Sequence, residues 1–383
     1  MGLRFGVFLF SCLAAAQVPV AVRSAGSVRL PLVIDSNTQP TVVGGALRIY
    51  SSDGSPLINT LSFGFEPLSQ EPVIIHGRTD PFPLWIESTW TDGDGTVLGW
   101  YHQERLDVCA GSSLTVPEIG ALVSHDGGRT FHDLGIVLTS GDAPNCSARN
   151  GYFAAGHGDF SVILDRQREF FYFLFGNYGG EAGSQGISIA RLPFRSRFSP
   201  VGEVRKYFGG GWDEPGLGGR VTPVFPATVS WAEENTDSFW GPSVHWNHYL
   251  NAFVILMNRA CCAPFWPQEG TYLSISRDLS SPSSWSTPQM VLPYGDWYPW
   301  AIDAKVEEHT GELGKHIRIF SRERSEWELE FDPQPEASEP PPSEEPPAAP
   351  PPGEPGPPEQ EPVDPEFPPD EEPLPEANSS GIQ

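Results

Sequence analysis

The sequence predicts an all-β protein, a five-bladed β-propeller followed by a disordered Pro/Glu-rich tail. Three observations predict it. Helical periodicity is nearly absent along the 383 residues. Short runs rich in Val, Ile, Phe, Tyr and Trp are broken by Gly, Asp, Asn and Pro, which is the pattern of short strands joined by turns. A unit of four such strands recurs five times, and repeated four-stranded units are typical of propellers.

The first 25 residues have the pattern of a secretory signal peptide, which is expected to be cleaved after Ala25. A single Arg precedes an apolar run of about ten residues, and small residues follow. The run is shorter than the about 20 apolar residues of a transmembrane helix. The stretch that ends at Cys12 also resembles a bacterial lipoprotein box, although Phe10 fits that box poorly. We therefore expect a secreted, periplasmic or cell-envelope protein, with lipid anchoring at Cys12 as the less favoured alternative.

The repeated units fill residues 28–331, which we predict to form the propeller. Each unit begins with a strand that carries polar residues, followed by a strongly apolar, aromatic strand and then two further strands. We expect early N-terminal residues to pair with the last unit, because an open ring would leave strand edges exposed. The predicted first strands begin near Asp35, Trp85, Gly158, Gly241 and Tyr298.

One turn in the second unit, residues 124–131, resembles the Asp box of sialidase-like propellers. Ser124, Asp126, Gly128, Thr130 and Phe131 stand at the positions of that pattern. We expect the Asp126 carboxylate to accept hydrogen bonds from backbone N–H groups of the turn, and the phenyl ring to pack beneath it. This turn supports the fold and says little about chemistry.

Four cysteines remain outside the predicted signal peptide. Cysteines in an exported chain favour disulfides. Cys109 and Cys146 both lie in polar, loop-like stretches, so we expect them to pair. Cys261 and Cys262 are adjacent and are expected either to bond to each other or to lie reduced and buried. The spacing of cysteines and histidines does not match that of a zinc site.

The tail, residues 332–383, is dominated by Pro and Glu and contains no Lys or Arg. Such a segment cannot bury enough apolar surface to offset its chain entropy, so we predict that it is disordered and extended. It carries more than half of the formal net charge of −26, and the remaining part is acidic as well. The charge therefore argues against nucleic acid as a partner.

The chain resembles the five-bladed propeller glycosidases, a superfamily that includes arabinanases and β-xylosidases. It is still more similar to a family of exported bacterial propellers that share several sequence strings with it. These strings fall at Trp85–Trp90, Gly99–Glu104, Gly156–Val162, Glu214–Pro223, Phe239–Leu250 and Trp297–Pro299. Together they span the whole predicted propeller.

The resemblance implies carboxylates on the innermost strands, where one acts as general base, one as general acid and a third tunes the pKa of the acid. The candidates are Asp35, Glu87, Asp159 and Glu214. Each has a structural alternative. Asp159 could bind amides at the start of its strand, and Glu87 could be a buried ion-pair partner. Asp35 could belong to an ordinary turn, and the glycines around Glu214 could simply make a tight connection.

Further residues are candidates for substrate binding because each lies on an inner strand, at the end of a second strand or beside a candidate acid. For these the alternative is core packing or structural hydrogen bonding. A central calcium or other ion held by a funnel histidine is left open, but no cofactor or metal is otherwise expected. The candidates are Trp85, His102, Glu104, His157, Trp212, His245, Asn247, Trp297 and Tyr298.

We expect an exported, monomeric glycoside hydrolase that acts on a glycan or oligosaccharide. The alternative is a propeller that binds carbohydrate or adheres to it without catalysis, because the fourth unit has His245 where the superfamily would place an acid. A sialidase would need six blades, an arginine triad and a tyrosine nucleophile, and neither the sixth blade nor the triad can be placed here.

Overall fold

The computed structural model describes residues 18–264, 266–304 and 312–332, and within these ranges the protein is a five-bladed β-propeller. This confirms the predicted fold class. Most of the predicted signal peptide and the predicted tail beyond residue 332 lie outside the described residues. Among the helices of the described part, three short 3₁₀ turns, none is long and apolar enough to cross a bilayer.

The first strand, β1 (Val20–Arg29), belongs to the last blade, and the sheets that follow it form the first two blades. Blade 1 consists of β2 (Thr41–Val43), β3 (Ala46–Ser51), β4 (Leu57–Leu61) and β5 (Pro67–Pro72). Blade 2 consists of β6 (Ile74–His76), β7 (Leu84–Thr91), β8 (Val97–Arg105), β9 (Val116–Ser124) and β10 (Thr130–Leu138). In blade 2 the short β6 pairs in parallel with the outer β10, and all other pairs are antiparallel.

Blades 3 and 4 follow in the same manner, with an extra hairpin on blade 3. Blade 3 consists of β11 (His157–Leu164), β12 (Phe170–Asn177), β13 (Gly186–Pro193), β14 (Arg205–Phe208), β15 (Gly211–Pro215) and β16 (Phe225–Pro226). Blade 4 consists of β17 (Ser238–Asn247), β18 (Ala252–Ala260), β19 (Gln268–Ser276) and β20 (Gln289–Pro293). The 3₁₀ turns are Ala182–Ser184, Phe194–Ser196 and Pro282–Ser284.

Blade 5 closes the ring with a strand from the other end of the chain. Its own strands are β21 (Pro299–Asp303), β22 (His316–Ser321) and β23 (Arg324–Phe331), and β1 is the fourth. Val20 pairs with Phe331 and Ser24 with Trp327, so the closing strand begins well before the predicted boundary at residue 28. The expected pairing of N-terminal residues with the last blade is present, and it removes an open sheet edge.

Each wedge between neighbouring blades is filled by one hydrophobic cluster. The second strands of the blades therefore pack on both faces, which explains why β12 and β18 are continuous apolar runs instead of alternating ones. Tyr50 of blade 1, for example, packs edge-on against Phe131 of blade 2 with ring centroids 5.9 Å apart. The stacked blades hold the inner strands β2, β7, β11, β17 and β21 around the central axis.

The structure contains both disulfides that the sequence suggested and a hydrogen-bonded turn around Asp126. Cys109 and Cys146 are joined with an S–S distance of 2.01 Å, as expected, and Cys261 and Cys262 are bonded to each other. In the turn between β9 and β10 the Asp126 carboxylate accepts the backbone N–H groups of residues 129 and 130 at 3.1 and 3.0 Å. Phe131 is fully buried beneath that turn.

Candidate active site

Three neighbouring inner strands each contain a bulge near their first residues. We call the end of the ring at which the inner strands begin the entry end. The pairing register shifts at Glu87 in β7, at Asp159 in β11 and at residues 241–242 in β17. A bulge bends the strand and re-aims its side chain, and bulges are frequent beside functional sites. Asp159 accordingly has a left-handed backbone with φ of 44°, a conformation that Asp adopts more readily than most residues.

Glu87 is completely enclosed and both of its carboxylate oxygens have partners. Oε1 lies 2.8 Å from His102 Nδ1, and Oε2 accepts the backbone N–H of Phe160 at 2.6 Å. The second bond crosses from blade 2 to blade 3 and holds the backbone immediately after Asp159. Asn37 of blade 1 completes the link, because its amide donates to the carbonyls of Phe160 and Pro242 at 3.2 and 2.6 Å.

Asp159 lies beside this pair and has one oxygen engaged and one free. The Tyr178 hydroxyl donates to Oδ2, whereas Oδ1 is buried and has no hydrogen-bond partner among the described residues. Tyr178 is itself fixed by stacking on Phe153 at a centroid distance of 4.3 Å. A buried carboxylate oxygen without a partner disfavours the charged form of this carboxyl group.

The rim of this site is formed by two more carboxylates. Glu104 Oε1 lies 3.4 Å from His102 Nε2, and its side chain is 21% exposed. Asp35 enters from blade 1, is 44% exposed and faces the Arg322 guanidinium of blade 5 at 3.8 Å. The acid cluster, as we call it, consists of Asp35, Glu87, His102, Glu104 and Asp159.

Burial and charge separate the proton affinities within the acid cluster. Burial raises the pKa of Glu87 to about 7 and also raises the pKa of Asp159. Burial alone would lower the pKa of His102, but the carboxylates of Glu104 and Glu87 beside it hold that pKa well above its usual value. In return, His102 outweighs the effect of burial on Glu104 and keeps the pKa of that carboxyl below its usual value. The carboxyl groups on either side therefore favour the protonated form of His102.

A cation could in principle be held by Glu87, His102 and Asp159, which each offer one ligand atom within 4.8 Å of the others. However, the Glu87 and His102 atoms already bond to each other at 2.8 Å. A metal at His102 would also have to displace a ring proton, since imidazole binds metals in its neutral form. The cluster as it stands fits a proton-handling network better than a metal site.

Several of the predicted binding residues line the acid cluster or lie near it. The Trp85 ring lies tilted against the His102 ring, with centroids 5.0 Å apart. Tyr298 is buried in an aromatic cluster with Trp240, and the charges of Asp159 and Asp35 add to burial in raising the pKa of its hydroxyl. Trp297 packs on the same cluster and carries the Arg322 guanidinium over its ring at 5.2 Å.

Other predicted residues lie elsewhere. Glu214 is in β15, the outer hairpin of blade 3, where it binds Arg220, and Trp212 of the same strand packs on Tyr172. The Gly-rich stretch therefore belongs to the rim of blade 3 and does not deliver Glu214 to the acid cluster. The reason is the extra hairpin β14–β15, which the sequence pattern did not reveal.

The remaining three predicted residues are buried on inner strands. His157 lies against Phe175 with ring centroids 4.7 Å apart, and burial holds its pKa well below the usual value. Asn247 binds the backbone of Leu250 and Gly314, a structural role at the end of β17. His245 lines a cavity at the opposite end of the inner strands.

Sequence reasoning missed Asn37, Tyr178 and Tyr152. Tyr178 follows β12 and reaches Asp159 only because the bulge turns that carboxylate towards it. Tyr152 lies on the loop before blade 3 and stacks on Trp266 at 4.7 Å, at the edge of the aromatic cluster. Its signal in the sequence was only an aromatic residue in a polar loop.

No protein-family model matches this chain, and no curated protein matches it in sequence. The solved structures with a similar chain trace include glycoside hydrolases, as the sequence motifs predicted. An exo-β-1,3-galactanase from Phanerochaete chrysosporium with β-1,3-galactotriose is 11% identical, with 81% of this chain and 64% of that chain covered and a TM-score of 0.44. A thermostable family-43 glycoside hydrolase is 7% identical, with 82% and 98% covered and a TM-score of 0.48.

An exo-1,5-α-L-arabinanase from a bovine ruminal metagenomic library is 12% identical, with 79% of this chain and 93% of that chain covered and a TM-score of 0.45. At these values the similarity assigns no activity, substrate or site residue to this chain.

Proposed function

We propose that this protein is an exported glycan-active propeller that hydrolyses a glycosidic bond at the acid cluster. The observation that carries the proposal is the convergence of four carboxyl groups from three blades on one spot, with a free oxygen on Asp159. Carboxyl groups with separated proton affinities are what acid–base hydrolysis of glycosides requires. Buried acids of this kind are costly and mark functional sites more often than they stabilise a fold.

Asp159 is the candidate general acid. Its Oδ2 accepts the Tyr178 hydroxyl, so a proton on the carboxyl group resides on Oδ1. Because burial raises its pKa, Asp159 can hold that proton at a higher pH than an exposed carboxyl group. It would donate the proton to the glycosidic oxygen and take one back from water at the end of the reaction.

Asp35 is the candidate base, since it is the more exposed carboxyl group and comes from a different blade, blade 1. Burial raises its pKa above the usual value for Asp, while the Arg322 guanidinium lowers it and so favours the charged form that a base needs. Glu87, whose oxygens are both engaged, acts as a positioning residue for His102 and for the backbone after Asp159. Glu104 keeps His102 charged.

A non-catalytic glycan-binding or adhesion propeller is the second candidate, and blade 4 favours it. At the bulge of β17 the chain has Gly241 and Pro242, where blades 2 and 3 have acids. The preceding Trp240 is buried and donates its indole N–H to Gln268 at 2.9 Å. Blade 4 therefore contributes an aromatic wall to the entry end and no carboxylate from this bulge.

The two candidates differ in what happens to a bound oligosaccharide. Wild-type protein is incubated with β-1,3-galactotriose, with linear arabino-oligosaccharides and with xylo-oligosaccharides, and both new reducing ends and bound ligand are measured. A hydrolase releases reducing ends and Asp35→Asn abolishes the release, while Asp213→Asn, an exposed exchange on the blade-3 hairpin, leaves it unchanged. Binding without release on every oligosaccharide would reject the hydrolase in favour of the binding propeller.

A further inference from the structure

We propose that the cavity at the exit end of the inner strands is a second ligand site, which takes an uncharged oligosaccharide. The exit end is where the inner strands finish, opposite the acid cluster. The cavity measures about 700 Å³ and is lined by residues from all five blades. That volume is within the range of small-molecule sites in proteins.

This cavity is separate from the acid cluster. None of the five acid-cluster residues is among its described lining residues. Between the two, side chains on one inner strand bind the backbone of the next. Ser88 accepts the N–H of Val162 at 2.9 Å, and Ser161 accepts the N–H of Val244 at 3.0 Å. A ligand in the cavity therefore contacts residues at the ends of the inner strands and none of the acid cluster.

Two tryptophans give the cavity a preformed aromatic wall. Arg166 lies over the Trp246 ring at 4.7 Å and is ion-paired with Glu312. Arg168 lies over the Trp90 ring at 5.4 Å. Cation–π contacts of this kind hold one face of each ring in place. Ordered aromatic side chains are suited to the apolar C–H face of a sugar, since they lose little entropy on binding.

Polar groups that can both donate and accept hydrogen bonds complete the lining. His245 is buried, and its Nε2 lies 2.8 Å from the Ser243 hydroxyl. Burial lowers its pKa to about 4, so the ring is neutral at physiological pH. Thr89 Oγ1 is buried and has no hydrogen-bond partner among the described residues, although Thr89 faces this cavity. A rotation of this side chain about χ1 would bring the hydroxyl into the cavity, where it gains a bond to a ligand hydroxyl.

The lining carries two arginines and three carboxylates, those of Asp165, Asp303 and Glu312, so it has no surplus of positive charge that would select an anion. Arg166 pairs with Glu312, and Arg168 lies 3.7 Å from Asp92, so neither guanidinium is left to bind an anion. An anionic or cationic ligand would have to break these pairs. An uncharged chain of sugar units uses the aromatic wall with its C–H faces and the neutral polar groups with its hydroxyls.

The test is equilibrium binding by calorimetry and ligand-observed NMR, with β-1,3-galactotriose, arabinotriose and xylotriose as probes. We expect wild type and Asp159→Asn to bind at least one probe with the same affinity at this site. Trp246→Ala should weaken that binding at least tenfold. Trp212→Ala, which removes a tryptophan from the outer strand of blade 3, is the matched control and should leave it unchanged.

Thr89→Val provides a second variant in case Trp246→Ala does not fold. It removes the unpartnered hydroxyl without changing the size of the side chain, so it should weaken binding several-fold with an unchanged melting temperature. The proposal is overturned if no probe binds, if Trp246→Ala and Thr89→Val bind as wild type does, or if Asp159→Asn removes all binding. If Asp159→Asn loses hydrolysis but still binds the probe, the result supports a ligand site in the cavity that is separate from the active site.

Discussion

Glu87→Gln should mainly lower stability, whereas Asp159→Asn should mainly lower activity, although both exchange a buried acid for its amide. In wild type, Glu87 accepts from His102 on one oxygen and from the Phe160 N–H on the other. Glutamine has only one accepting oxygen, so one of these two partners would face an amide NH₂ group. Asp159→Asn keeps the oxygen that Tyr178 needs, and Asn tolerates the positive φ of this position as well as Asp does.

The magnitudes follow from these contacts. Leaving a buried donor unpaired costs about 1–3 kcal/mol, and more when the donor is charged, as His102 is. We expect Glu87→Gln to lose about 3 kcal/mol of unfolding free energy. For a propeller of this size that corresponds to a fall in melting temperature of roughly 6 °C. Asp159→Asn keeps the hydrogen bond from Tyr178, but its NH₂ group takes the place of the unpartnered Oδ1, so we expect a smaller loss of about 1 kcal/mol, at the low end of that range.

The assay is urea-induced unfolding at pH 7, followed by tryptophan fluorescence and by circular dichroism, with thermal melts in parallel. Glu214→Gln is the matched control, because this acid lies on the outer hairpin of blade 3 and should be replaceable without a measurable change. The reasoning would be refuted if Glu87→Gln were as stable as wild type. It would equally fail if Asp159→Asn lost as much stability as Glu87→Gln.

Three further predictions concern the rest of the fold. Burial lowers the pKa of Lys206 to about 7. Above that pH Lys206 is protonated in the unfolded chain but neutral in the folded protein. Wild type should therefore gain up to about 1.4 kcal/mol of unfolding free energy per pH unit towards pH 10 relative to Lys206→Met. A difference in unfolding free energy between the two proteins that stays constant with pH would contradict this. A chain that starts at residue 17 keeps β1 whole, whereas one that starts at residue 26 loses the segment paired with β23 and should melt several degrees lower. Correspondingly, N-terminal sequencing of the mature protein from its native host should find the first residue at or before Val20, and a start at residue 26 would refute the closing role of β1. Removing the disulfide with Cys109→Ser and Cys146→Ser releases a loop of 37 residues in the unfolded chain. The unfolding free energy, measured under oxidising conditions, should fall by about 3–4 kcal/mol. No loss would show that the bond does not constrain the unfolded chain.

The fold could be predicted from sequence because the propeller repeats its pattern. The strands predicted near Trp85, Gly158, Gly241 and Tyr298 begin within three residues of β7, β11, β17 and β21. The first blade departs from the pattern, since its regular inner strand starts only at Thr41. The stretch around Asn37 occupies the inner position there by binding blades 3 and 4 through its side chain. Periodicity does not record such bonds.

The site could be predicted only in part, because alternation along a strand says which face a residue takes but not which end of the ring it serves. His245 lies four positions after Gly241 in β17, which is about 13 Å along a strand. It therefore lines the exit cavity, although its strand also contributes to the entry end. Asp159 and Glu87 were correctly placed on inner strands, yet the bulges that turn them towards each other leave no mark in the sequence pattern.

The most direct test of the active-site proposal is the specificity constant of Asp159→Asn on whichever oligosaccharide the wild-type protein cleaves. If Asp159 is the general acid, kcat/KM should fall by about 10²–10⁴-fold while the melting temperature stays within about 2 °C of wild type. A variant that keeps the wild-type kcat/KM with an intact fold would show that the buried carboxyl group of Asp159 has no part in catalysis.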